Sequence, residues 1–350
     1  MAANIPARII DDGLKAGLFS AASYAVARRG ELLLSGAAGR VDFEPGAMPV
    51  KSDTLFDVAS VGKPAITATS IMILVERGLL SLTQSVGKIL EPRFGSLAHL
   101  DVVEVRQLLT HTSGLPPIPR KIDPPADQDE PSDLSRVLEA ALTTPLLRDP
   151  GVGYTYSDVG YILLWEIIEL VTGISPMEFA RREILRPLGM HSSEFLPNGS
   201  DIVRTDAAVP AGVVHDPRAR ALGGASGHAG LFSTAPDLLR YVEAIRTGGA
   251  PILSRASVAR MSRSQCAPGV GAMSYGWFCA GNDFLPSGDL FSDVAFGHSG
   301  FTGCLLLIDP AYDVSAVLLS NRVLNTSVDG VPFLRLRRNW LNAVAAAATS

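Results

Sequence analysis

The chain has 350 residues, 47% of them hydrophobic and 19% charged, with a formal net charge of −5. That composition supports a sizeable core and excludes a disordered chain. Interspersed charges of both signs exclude the concentrated basic face that nucleic acid requires. Cys266, Cys279 and Cys304 lie far apart, with neither a CxxC pair nor a zinc spacing, which fits a reducing compartment. Cys304 stands among apolar residues and reads as a small buried hydrophobe.

Residues 1–18 carry scattered charges and no apolar stretch, so no secretory leader is expected. No apolar run reaches the length of a membrane span, about 18 residues, and the expected location is cytoplasmic. Helical spacing covers residues 5–18. Residues 22–28 and 32–35 read as strands joined at Gly30-Glu31. Residues 60–80 form the strongest helix candidate, with Ile66, Met72, Ile73, Val75 and Leu79 on its apolar face and Gly78 near its end. The middle of the chain alternates helical patterns, at 104–110 and 159–171, with loops rich in Pro, Gly and Asp. Gly173 stops the second helix, and the loop 116–131 is expected to be exposed. Residues 237–246 return to helix after the cap candidates Ser233 and Thr234. Apolar runs at 303–308 and 314–320 then flank a turn at 309–313, and 333–348 closes with a helix. The order predicts an α/β fold: an antiparallel sheet flanked by helices, built from residues 1–75 and 240–350, with a mostly helical region, 76–239, inserted.

Chemistry enters with Ser60-Val61-Gly62-Lys63. At i and i+3 on a helix, hydroxyl and amine share a face. Burial and neighbouring positive charge would lower the lysine pKa towards that of a useful base. A helix N-terminus would also offer free N–H groups to an oxyanion. The same tetrapeptide recurs as Ser85-Val86-Gly87-Lys88, in a short surface loop, so context selects Ser60. Tyr154-Thr155-Tyr156-Ser157-Asp158 precedes a helix. There Tyr156 could relay a proton and Asp158 could hold Lys63 or touch substrate. Equally, Tyr156 could pack in the core while Ser157 or Asp158 caps the helix. Gly297-His298-Ser299-Gly300-Phe301 leads into a strand, where Gly300 permits a close backbone approach. A plain strand start with a solvated histidine reads as well. The glycine-rich stretch 223–230 lacks a phosphate-loop pattern, and no G-x-S-x-G elbow appears. The histidines have no metal-ligand spacing, and no metal or organic cofactor is expected. His111 reads as a maker of structural hydrogen bonds at a helix end.

Taken together, these segments resemble the penicillin-binding-protein and class C β-lactamase superfamily, in its D-Ala-D-Ala carboxypeptidase and family VIII esterase branch. The resemblance runs over about residues 22–319 and includes the stretch 228–234, similar to a subset of β-lactamase-like serine hydrolases. It implies a β-lactamase/transpeptidase-like fold. It also implies Ser60 as nucleophile, Lys63 as its base, Tyr156 as second proton-transfer group and His298 in the third-motif position. The backbone N–H groups of Ser60 and Phe301 would form the oxyanion hole, with Asp158, His298, Gly300 and Phe301 contacting substrate.

Two departures stand out. Asp158 replaces the usual Asn, which would raise the Lys63 pKa unless another cation offsets it. His298 replaces lysine and, partly charged near neutral pH, would anchor a carboxylate less well. Both lean towards a serine hydrolase of uncharged esters or amides, working through an acyl-enzyme on Ser60. The alternatives are a β-lactamase or D-amino-acid peptidase, an acyltransferase or peptide cyclase of small-molecule biosynthesis, and a non-catalytic binding module. The expected partner is a small-molecule ester, amide or peptide, with no nucleic acid.

Overall fold

A computed structural model describes residues 5–119 and 134–350. Helix α1 (Ile5–Lys15) leads into strands β1 (Ala21–Arg28) and β2 (Glu31–Gly39). The turn between them places Arg29 and Gly30 at φ 53° and 85°, the left-handed pair that matches the twist of a tight hairpin. β2 runs four residues past the expected Ser35, although Gly36, Ala37, Ala38 and Gly39 are poor strand formers. The gain is tertiary. A Cβ on Gly36 would stand 2.5 Å from the Tyr24 ring, so the glycine makes room for that side chain.

Three short strands, β3 (Phe56–Asp57), β4 (Glu194–Phe195) and β5 (Leu231–Ser233), form a small antiparallel sheet in the order β3-β5-β4. β6 (Phe278–Cys279), β7 (Phe296–Ser299), β8 (Leu305–Asp309) and β9 (Val314–Ser320) join the first hairpin in a six-stranded antiparallel sheet, order β2-β1-β9-β8-β7-β6. β8 and β9 are buried throughout, as two-sided cover requires. Asp309 shapes their turn, its Oδ1 accepting from the N–H groups of Ala311 at 2.9 Å and Tyr312 at 3.2 Å.

The expected helix at 60–80 is composite. A 3₁₀ turn at Ala59–Val61 and a π segment at Lys63–Ala68 precede α2 (Thr69–Glu76). In the wide turn the Pro64 carbonyl accepts from Thr69 Oγ1 and from the Tyr241 hydroxyl, each at 2.8 Å. Leu79, assigned to the apolar face, is instead exposed, and Leu80 is buried. α3 (Asp158–Thr172) ends at Gly173 with φ 69°. α4 (Ala235–Arg246) starts at its cap Thr234, whose Oγ1 accepts from Asp237 N at 3.3 Å.

The C-terminal helix is α5 (Gly330–Thr349). It packs with α1 on one face of the large sheet, around Phe19, Leu307 and Trp340. α2, α3 and α4 share the core on the other face with Leu306, Val317 and Trp277. Of the loop 116–131, residues 120–131 lie outside the described residues; in the remainder Pro116 and Pro119 are buried and Pro117 and Ile118 exposed. No single helix among the described residues is long and apolar enough to cross a membrane.

Candidate active site

The site is built from the turn after β3. The buried Asp57 accepts from Ala59 N at 2.9 Å and, through its second oxygen, from His215 N at 2.7 Å. These bonds hold Ala59 at φ 49°, a conformation uncommon outside glycine, and turn Ser60 outward to the cleft. Lys63, fully buried, donates to Ser60 Oγ at 2.9 Å and to the His228 carbonyl at 3.4 Å, and lies 2.8 Å from Asp158 Oδ1. Its three ammonium protons therefore have three acceptors. Burial pulls the Lys63 pKa down, but Asp158 and Tyr156 outweigh burial and hold it above the usual lysine value. The lowered pKa expected from burial and positive neighbours is overturned, and the rise expected from Asp158 stands, because that carboxylate lies 2.8 Å from Nζ.

The capping reading of the 154–158 segment holds, through Ser157. Ser157 caps α3, accepting from Gly160 N at 3.3 Å while donating to the Pro116 carbonyl at 2.6 Å. That cap turns its neighbours Tyr156 and Asp158 into the site. The Tyr156 ring lies beside Lys63, its centroid 4.8 Å from Nζ. Burial raises the Tyr156 pKa and Lys63 acts against that. Asp158 lies between Lys63 and Arg218, whose Nη2 is 3.3 Å from Oδ2. Burial pushes the Asp158 carboxyl up, but Lys63 and His228 hold it below the usual range.

The array continues beyond the motifs. Arg218 Nη2 is 3.1 Å from Asp216 Oδ2, and Asp216 Oδ1 lies 2.9 Å from His228 Nε2. Because the carboxylate only accepts, His228 carries a proton on Nε2, while its Nδ1 faces Ser226 Oγ at 3.2 Å. Burial works against ionised Asp216, yet His228 and Arg218 hold it far below the usual carboxylate range. The donor atoms of Asp158, Asp216 and His228 lie within 4.8 Å of one another, as a metal site would need. Arg218 already bridges the two carboxylates and supplies the positive charge there. Sequence reasoning missed Asp216, Arg218 and His228 as site residues. The one local signal was Asp216-Pro217, a helix-cap pair: Asp216 Oδ1 accepts from Arg218 N and Ala219 N, each at 2.9 Å.

The third motif closes the opposite wall. His298 is wholly buried and stacks on Phe278, ring centroids 4.3 Å apart. Its Nδ1 lies 3.0 Å from the Ser299 carbonyl, so that nitrogen carries the proton and Nε2 is an acceptor. Nε2 is buried without a hydrogen-bond partner. Burial, with Lys63 and His111, pushes its pKa well below the usual histidine value. The expected partly charged, or solvated, histidine is therefore corrected to a buried neutral one. A Cβ on Gly300 would stand 2.4 Å from the Val58 carbonyl oxygen. That close approach sets Phe301 beside the Ser60 turn. The backbone N–H groups of Ser60 and Phe301 donate to no partner among the described residues.

His111 does make structural bonds at a helix end: Nδ1 accepts from Ser157 N at 3.0 Å, and its carbonyl accepts from Thr155 N at 2.9 Å. Burial, then Lys63, pushes it down to about 3. Ser85 is a helix cap, its Oγ accepting from Lys88 N at 3.3 Å, while Lys88 pairs on the surface with Glu91 and Asp101. Ser60, Tyr156, Asp158, Gly300 and Phe301 all line one cleft of about 650 Å³.

The Beta-lactamase family model matches residues 7–337. The chain belongs to the Beta-lactamase family. It is 30% identical over 311 residues to an Escherichia coli O157:H7 protein named "Putative D-alanyl-D-alanine carboxypeptidase", covering 79% of this chain and 71% of that one. Among solved structures it superposes on "EstCE1, a hydrolase with promiscuous acyltransferase activity" with TM-score 0.79 at 22% identity, over 98% of each chain. A family VIII carboxylesterase gives TM-score 0.76 at 22% identity, over 99% of this chain and 97% of that one. These structural likenesses carry the fold, a β-lactamase/transpeptidase-like antiparallel sheet with flanking helices, as expected. Family membership makes the protein a serine hydrolase.

Proposed function

We propose that this β-lactamase-family serine hydrolase cleaves an ester or amide through a covalent acyl-enzyme on Ser60, with Lys63 and Tyr156 acting as one proton-transfer unit. The observation that carries the reading is the contact of Lys63 Nζ with Ser60 Oγ at 2.9 Å, with the Tyr156 ring centroid 4.8 Å from the same nitrogen and both Ser60 and Tyr156 lining the cleft. Asp158 favours the ammonium form of Lys63, so the role of direct base passes from Lys63 to Tyr156. The reactive microstate pairs an ammonium Lys63 with a phenolate Tyr156; burial holds the Tyr156 pKa above the usual phenol value, so this microstate is the minor one, and the pair titrates as a unit.

The phenolate accepts the Ser60 proton as Oγ bonds to the carbonyl carbon. The N–H groups of Ser60 and Phe301 receive the oxyanion. Tyr156 then gives its proton to the leaving group, and the carbon–leaving-group bond breaks. Water enters by the reverse sequence: Tyr156 accepts its proton, the acyl–Oγ bond breaks, and Ser60 regains a proton from Tyr156. Arg218 balances Asp158 and Asp216, and Asp216 accepts from His228 Nε2 behind Lys63.

The test is intact mass after exposure to a fluorophosphonate probe. One adduct on the wild type and on Ser85→Ala, with none on Ser60→Ala, is the expected pattern. An adduct that persists on Ser60→Ala overturns the assignment.

A further inference from the structure

Tyr156 stands on a stretch without regular secondary structure, residues 153–157, so its place beside Lys63 is set by contacts from outside that stretch. Several come from the segment that follows the short helix Val105–Leu109. Ser157 Oγ donates to the Pro116 carbonyl at 2.6 Å and Asp158 N to the Pro117 carbonyl at 2.8 Å, which fixes the start of α3. His111 acts one step closer to the phenol. Its carbonyl accepts from Thr155 N at 2.9 Å and its Nδ1 from Ser157 N at 3.0 Å. One residue thus holds the peptide N–H groups on both sides of Tyr156. Of these partners, His111 also meets the Tyr156 ring, with centroids 4.4 Å apart, and its other neighbour is the Tyr161 ring at 5.0 Å. The Tyr161 hydroxyl donates to the Leu109 carbonyl at 3.1 Å, which ties the stack to the same helix end.

Two features of His111 work against stability. Its backbone holds φ 56°, a region uncommon outside glycine. Because Nδ1 accepts from an amide, the ring proton sits on Nε2, and that nitrogen is buried without a hydrogen-bond partner. A buried donor with no acceptor is destabilising, and residues that break local rules in this way gather at functional sites. Burial, then Lys63, keeps the imidazole neutral, with its pKa pushed down to about 3, so the Nδ1 lone pair stays free to accept. His111 itself is fully buried and lines no part of the cleft.

We infer that His111 is a positioning residue for Tyr156: by clasping both flanking amides and stacking on the ring, it holds the phenol where it exchanges a proton with Ser60. The inference rests on the proton-transfer role given to Tyr156 above and adds a residue to it. His111 touches none of the reacting atoms and acts through Tyr156.

The test is a double-mutant cycle on the turnover of a p-nitrophenyl ester, using the wild type, His111→Phe, Tyr156→Phe and the double variant, each checked for folding by near-UV circular dichroism. His111→Phe keeps a ring and removes the acceptor. With Tyr156 present it lowers kcat about 10²-fold, the typical cost of a misplacement near 1 Å, while KM stays within about threefold. In the Tyr156→Phe background the same substitution changes kcat by less than about threefold, because the group it positions is gone. His111→Asn, which returns an acceptor and tolerates the positive φ, recovers about tenfold or more of the loss. An equal loss in both backgrounds overturns the inference, since a merely structural role harms the site whether or not the phenol is present. A His111→Phe protein with kcat within about threefold of wild type overturns it as well. Where His111→Phe does not fold, His111→Gly, which accepts the positive φ and lacks the acceptor, takes its place in the cycle under the same criteria. Failure of the underlying reading has its own signature: Tyr156→Phe alone keeps wild-type turnover, or the wild type shows neither turnover nor a fluorophosphonate adduct, and the inference then falls with that reading.

Discussion

Gly300→Ala tests the geometry that joins the third motif to the Ser60 turn. Gly300 has no positive φ, so the substitution acts through sterics alone. The new Cβ would stand 2.4 Å from the Val58 carbonyl oxygen and 3.3 Å from the Ala59 Cβ, and contacts below 3.0 Å are essentially never seen. The two backbone segments must therefore part by at least about 0.6 Å. One carries Ser60 and the other Phe301, so the displacement falls between the two N–H groups assigned to the oxyanion. Loss of one oxyanion donor typically costs about 10²–10³ in kcat, and a misplacement near 1 Å about 10². The expected outcome is a fall in kcat of about 10²-fold on a p-nitrophenyl ester, with overpacking costing about 1–3 kcal/mol of stability by urea unfolding. Gly199→Ala, where a Cβ meets nothing within 4 Å, is the control. Turnover within about threefold of wild type in a folded Gly300→Ala protein would refute both the assigned hole and the reasoning from close approach.

Three further outcomes follow from the same contacts. Asp158→Asn removes the carboxylate that raises both the Lys63 and the Tyr156 pKa, so the ascending limb of the pH–kcat/KM profile, set by the first proton lost from the pair, moves to lower pH; a limb that stays put or moves upward contradicts the coupled pair. Ser85→Ala keeps fluorophosphonate labelling and loses about 0.5–2 kcal/mol of stability with its cap, read by urea unfolding; unchanged stability would show that the cap contributes nothing. His111 titrates at about 3 in the folded chain and near 6.5 when unfolded, so the unfolded state binds the proton first. Its contribution is complete above 6.5 and falls with acidification at about 1.4 kcal/mol per pH unit. That amounts to about 2 kcal/mol between pH 6.5 and 5, and His298, depressed in the same sense, adds to it. His111→Asn, which keeps an acceptor for Ser157 N and tolerates φ 56°, should flatten that slope, and an equal slope would remove His111 from the account.

Much of the framework was legible because its signals are local. β8 and β9 are apolar runs around an Asp-Pro turn, and both are buried as that pattern demands. The two-residue strands β3, β4 and β6 carry no period to read, and β2 gains its second half only because Tyr24 lies over Gly36. The site divides in the same way. Ser60 and Lys63 are a spacing on one turn, and Tyr156 and Asp158 are neighbours at one helix start. Asp158 also posed a question that a single sequence could not answer, since an acid beside Lys63 needs a second cation. The answer stands 60 residues away at Arg218, reached through the fold. His298 was misjudged for the same reason: its charge depends on burial against Phe278 and on Lys63 and His111. A motif names the group, but its protonation state belongs to the residues that three separate segments bring around it. In this cleft those neighbours leave the third-motif residue neutral, its Nε2 buried without a partner.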